Sequence, residues 1–168
     1  MPTLAAIREV SRARSIRLDG YVPTEHPLRR VRSVMDVPLG SLRDRLRASP
    51  SARCPIGPEQ MVRALLLQLL FSIRRDQQLV EQIWYSMLFR WFVSVRVDEP
   101  PWDLEVFAAY REQMLKLDLV RGVLLRGLAQ AHTEGLLSAE ALTARRCELA
   151  QFSSEVTGGV GHPGVLPG

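Results

Sequence analysis

The segment over residues 58–73 constrains this chain more than any other. Val62, Leu65, Leu66, Leu69 and Ile73 recur at helical spacing, and Leu67, Leu70 and Phe71 carry apolar surface most of the way round the same cylinder. A helix apolar on nearly every side is stable only when other elements cover nearly every side. Pro58 marks its start, because a first-turn proline lacks only an N–H that the helix leaves unpaired, and Glu59 follows where the helix dipole is positive. The longest apolar run, 64–71, contains Gln68 and is far short of the roughly 20 residues that span a membrane. The segment therefore predicts a central helix buried among others. A chain of 168 residues can supply that cover, since near 150 residues a fold buries about 70% of the surface its unfolded chain exposes.

The flanking sequence reads as the cover. Residues 3–17 carry charge on several sides and predict a basic arm of marginal helicity, closed by Gly20 and Pro23. From Thr24, a candidate cap, Leu28, Val31, Val34 and Met35 take helical spacing while Arg29, Arg30 and Arg32 point elsewhere. Pro38 and Gly40 are expected to separate this helix from a short one over 41–47, and Pro50 and Pro55 mark a loop. After the central helix, Arg74 and Arg75 end the apolar run, Asp76 is a candidate cap, and Leu79, Val80, Ile83 and Trp84 define a further helix. Tyr85 and Ser86 pause it before an aromatic block of Leu88, Phe89, Trp91 and Phe92. Pro100 and Pro101 make a strong break; Asp103 then caps a helix over 104–115, with Val106, Phe107, Tyr110 and Met114 inward. Residues 117–134 carry Val120, Val123, Leu124 and Leu128 and are closed by Gly135, and Ser138 with Glu140 opens a last helix through Leu149. No stretch alternates strictly between apolar and polar residues. The expected fold is all-α: a compact multi-helix domain over 19–150, a basic arm over 1–18 and a disordered Gly/Pro-rich tail over 151–168.

Charge is distributed unevenly. Residues 1–53 hold 11 arginines against 5 acids, net +6, and the remainder is net −2. Only Lys116 among the 22 basic residues is lysine, and arginine's planar fork suits phosphate better than an ammonium does. Cys54 and Cys147 form no C-x-x-C pair, and His26, His132 and His162 share no ligand spacing, so zinc and disulfide scaffolds lack their parts and the histidines read as surface or capping residues. Arg8, Glu9, Arg12 and Arg14 interrupt the first apolar residues, which leaves no leader-like segment. The expectation is a cytoplasmic protein with no membrane association. There is no nucleophile elbow, P-loop or dinucleotide glycine pattern. The acids beside the double proline, Asp98, Glu99, Asp103 and Glu105, read as caps and dipole partners.

Residues 62–93 admit a helix-turn-helix: a buried helix, a turn at Arg74 and Arg75, and a second helix showing Gln77, Gln78 and Gln82. Glutamine pairs with adenine edges in the major groove while turn arginines hold phosphate. Asp76 and Glu81, which repel a DNA backbone, stand against it. Two core helices with a solvated polar face fit the same residues.

The strings "HPLRRVRSVMD" (26–36), "PEQMVRALLLQLLFSIRRDQQLVEQIWYSMLFRWFV" (58–93), "DEPPWDLEVF" (98–107) and "EGLLS" (134–138) together resemble the N-terminal domain of bacterial insertion-sequence transposases of the InsH type. Order and spacing agree over 19–138. The resemblance implies a helical module ahead of an RNase H-like domain whose Asp-Asp-Glu triad binds Mg²⁺ and moves DNA strands. It also implies double-stranded DNA, the element's terminal inverted repeats, as partner, with self-association as a further expectation; the clustering of arginines and the helix-turn-helix reading supply Arg29, Arg30, Arg32, Arg74, Arg75, Gln77, Gln78 and Gln82 as the expected contact set. The first triad aspartate should follow "GLLS" almost at once, yet Ala144, Arg145 and Arg146 stand about where Val-Asp-Gly belongs. An arginine there repels a metal ion. The expectation is a chain truncated or frameshifted ahead of the catalytic core, without catalytic residues, metal or cofactor of its own. The alternatives are a protein-interaction module that pairs with full-length transposase through the block 88–92 and inhibits it, and a decayed remnant. Exposure of Trp91 and Phe92 would favour the interaction module.

Overall fold

A computed structural model describes residues 17–47 and 53–157, residues 152–157 as helical backbone only. The expected basic arm therefore lies outside the described residues except at its last two positions, as does the tail from 158 onward. After a 3₁₀ turn at Leu18–Tyr21 come seven α-helices: α1 Pro27–Leu46, α2 Pro58–Leu70, α3 Asp76–Tyr85, α4 Met87–Val93, α5 Leu104–Leu115, α6 Asp118–Thr133 and α7 Ala139–Thr157. Among the described residues there is no strand, and the fold is all-α. No helix of the described residues is long and apolar enough to cross a membrane.

Helix α2 is the hub. Every residue from Met61 to Leu69 is buried, Arg63 and Gln68 included. Pro58 sits in its first turn, and Gln60 Oε1 accepts from the Gly57 N–H at 3.0 Å, which satisfies a donor the helix start leaves open. Helices α1, α5 and α6 close around it. Val120, Val123, Leu124, Leu128 and Ala131 of α6 join Leu28, Val31, Met35, Leu39 and Leu42 of α1 in one core. Gly127 makes the α2–α6 approach possible: a Cβ there would lie 2.5 Å from Leu66 Cδ2, a separation that packed atoms do not tolerate.

Several local signals act as the sequence predicts. Asp103 Oδ1 caps α5 by accepting from Val106, and Gly135 turns out of α6 with φ +77, while Ser86, expected only to pause the chain, also caps α4 by accepting from the Phe89 N–H. Others differ. Pro38 does not divide the first helix; α1 runs through it to Leu46. An interior proline costs about 3 kcal/mol, but continuing the helix buries Leu39 and Leu42 beneath the same stripe as Met35, at about 1.5–3 kcal/mol each, and burial wins. His26, rather than Thr24, caps α1, its Nδ1 accepting from the Leu28 N–H at 3.2 Å. Asp76 is the first residue of α3 and not its cap, because its carboxylate turns inward to accept from Gln68 Nε2 at 3.0 Å. Helix α7 continues past Leu149 to Thr157, so 151–157 are helical rather than tail. The first strong breakers, Gly158 and Gly159, come only after that point.

Candidate nucleic-acid interface

The first arginine cluster is divided by the fold. Arg29 donates from Nε to the Pro23 carbonyl, from Nη1 to Asp19 Oδ1 at 2.8 Å, and from Nη2 to the Asp19 and Val22 carbonyls at 2.7 Å. Its guanidinium lies 5.1 Å from the Trp91 ring centroid, and Trp91 Nε1 donates to the same Asp19 carboxylate. These bonds hold the Asp19 carboxyl below its usual range, that of Trp91 first and that of Arg29 second. Arg29 is thus a clamp between the 3₁₀ turn, α1 and α4, with its donors committed. Arg30 is exposed and pairs with Glu134 at 3.0 Å across the α6 end. Arg32 lies 4.8 Å from the Trp91 centroid and donates to Ser94 Oγ.

The second cluster faces solvent. Arg74 and Arg75 lie in the turn between α2 and α3, exposed, and neither makes an ion pair among the described residues. Helix α3 buries Leu79 and Ile83, and the opposite side shows Gln78, Gln82 and Tyr85, four and then three residues apart on one stripe. Gln77 is also exposed but donates to Glu81 Oε1 at 3.0 Å. Asp76 no longer opposes an approaching backbone as its sequence position suggests. Gln68 and Arg111, 3.5 Å away, hold its carboxylate on the inner side. Glu81 is the acid left on the outer face.

The sequence reading missed two structural arginines, although Arg90 stands inside an apolar and aromatic run. Arg90, buried inside the aromatic block, donates to the carbonyls of Trp84, Arg96 and Val97 and lies 4.4 Å from the Trp84 centroid, which joins α3 to the segment after α4. Arg63, buried on α2, reaches Asp36 Oδ1 at 2.7 Å and Ser94 Oγ at 2.8 Å. The aromatic block itself is core: Trp91 is 4% exposed and Phe92 0%. It is not a docking face, and the interaction reading loses the feature it rested on.

The divalent cations that the transposase resemblance implies need converging carboxylates. Among the described residues no three His, Cys, Asp or Glu side chains come together. Asp103 is occupied as a cap, Asp98 pairs with Arg96, and Arg145 bonds Ser72 and Glu148 where the resemblance would put the first acid. These residues do not fit a metal.

Residues 16–113 match a family model described as Transposase domain (DUF772). No curated protein and no solved structure matches the chain.

Proposed function

Because the chain belongs to the DUF772 transposase-domain family, with a role in transposition, we propose that it binds double-stranded DNA through the α2–turn–α3 unit. In this reading Arg74 and Arg75 hold backbone phosphates, and Gln78 and Gln82 read base edges in the major groove of the element's terminal inverted repeats. The observation that carries it is the stripe of Gln78, Gln82 and Tyr85 on a helix whose other side is core, headed by two exposed arginines.

The chain is read as an InsH-type helical module that acts without strand-transfer chemistry of its own. Support comes from the divergence after Ser138, where Arg145 and Arg146 occupy the neighbourhood of the expected acid. Fluorescence anisotropy with a terminal-repeat duplex and a random duplex at low salt is the test. Binding to both is expected, tighter to the repeat, with Gln78→Ala and Gln82→Ala together reducing the difference between the two. Absence of affinity for either duplex ends the proposal, and Mg²⁺-dependent cleavage of the repeat by the purified chain ends its non-catalytic part.

A further inference from the structure

Ser94 follows α4 in the left-handed region, φ +68, which residues with a Cβ adopt at a cost. That conformation sets its hydroxyl oxygen between two guanidiniums: Arg32 Nη2 and Arg63 Nη1 both donate to it, each at 2.8 Å. One neutral oxygen therefore serves two cations. The Arg63 side chain is only 7% exposed, and its Nε is buried without a hydrogen-bond partner. The groove in front, about 360 Å³, is lined by Arg17, Leu18, Asp19, Arg32, Arg90, Trp91, Ser94, Val95 and Arg96.

Among the described residues, charge in and behind this groove does not balance. Arg17, Arg29, Arg32, Arg63, Arg90 and Arg96 face Asp19, Asp36, Asp98 and Glu99, an excess of two positive charges. The Arg32 guanidinium is held below the usual arginine range, first by burial and then by the neighbouring Arg63 charge. A group with several anionic oxygens at Ser94 would give Arg32 a charged acceptor and relieve that repulsion. Trp91 is too buried to offer an open face to a base, so the groove favours a phosphate over a nucleobase.

We propose that the groove at Ser94, with Arg32 and Arg96, is a phosphate-binding site that takes a backbone phosphate of duplex DNA irrespective of sequence. It rests on the DNA-binding reading above and adds a second anchor, built from α1 and the end of α4, to the one at Arg74 and Arg75.

Ser94→Asp tests it, since aspartate accepts the left-handed backbone and sets a resident carboxylate between Arg32 and Arg63. The variant is expected to melt no lower than wild type. It should bind a random duplex about three- to tenfold more weakly at 0.15 M salt, with the slope of log K against log salt shallower by about one. Equal affinity and slope for folded Ser94→Asp and wild type overturn the proposal while leaving the α3 reading intact. If Ser94→Asp does not fold, Arg96→Gln decides by the same readout, because Arg96 is exposed and, among the described residues, its side chain bonds only Asp98. Melting in inorganic phosphate against chloride at matched ionic strength separates this site from the wider DNA reading. A phosphate-dependent rise that Ser94→Asp lacks, with no duplex binding by wild type, keeps a phosphate site and removes DNA as its source. Neither a rise nor duplex binding removes both.

Discussion

Arg29 and Arg74 each open a run of arginines beside an apolar helix, yet the fold uses them in opposite ways. Arg29 faces a 3₁₀ turn and the residues just after it, where the Asp19 carboxylate and the carbonyls of Asp19, Val22 and Pro23 point toward its guanidinium, and it donates to all of them at once. Arg74 sits in a turn where no described residue pairs with it, because the acid beside it, Asp76, is already held by Gln68 and Arg111. Positive charge along a sequence therefore measures how much is present, while the nearby chain reversals decide how much stays available to a partner.

Leu66→Ala sets the upper end of the scale against which both arginines are judged. Leu66 is fully buried against Gly127, so a cavity should cost about 2–5 kcal/mol in chemical denaturation. Affinity per folded molecule should not change. Arg29→Ala comes next, with a smaller loss than Leu66→Ala, since water can reach the exposed Asp19 and carbonyl acceptors but does not replace the contact with Trp91. If its melting point equals that of wild type, the clamp is not structural and the contrast with Arg74 collapses.

Tyr110 calibrates the contrast from the other side, as a buried polar group without a partner. Its hydroxyl makes no hydrogen bond, and its pKa is pushed up to about 12, by burial first and the nearby Cys54 second. Between about pH 10, the ordinary tyrosine value, and 12, the unfolded chain has released a proton that the folded chain retains. This contribution to stability is therefore complete below pH 10 and is lost as the pH rises to 12. Tyr110→Phe should remove that loss and raise stability at neutral pH by about 1 kcal/mol, as read by urea titration at pH 7 and 11. The smallest effect on folding belongs to Arg74→Ala with Arg75→Ala, within about 0.5 kcal/mol. The same double change should flatten the salt dependence of duplex binding by about two units of slope. A large stability loss with unaltered binding would place these arginines in Arg29's class.

Much of the fold was legible in the sequence because it depends on neighbours in the chain. The apolar girdle of α2, the pause at Ser86, the Asp103 cap and the turn at Gly135 are of this kind. Pro38 misled because its local cost is outweighed by Leu39 and Leu42 meeting a core whose α6 wall lies some 80 or more residues later in sequence. The exposed Gln78, Gln82, Arg74 and Arg75 could be read from the spacing of Leu79 and Ile83. The fates of Arg29, Arg32, Arg63 and Arg90 could not, since each is set by acceptors on a different element. One clue was present: an arginine in the middle of "MLFRWFV" must carry its charge into the core with partners.

The place of α6 has a practical consequence. The segment matched to the transposase family stops at residue 113, inside α5, while the wall that covers Leu28, Met35, Leu39 and Leu66 comes from residues 118–133. A protein cut at the edge of the matched segment would leave one long side of α1 and the outer side of α2 facing water, and such a strip associates with whatever apolar surface it meets. Expression trials that take the edge of the matched segment as a cloning boundary should yield aggregates, and trials that keep residues through Leu149, the last core side chain among the described residues, should yield the folded unit.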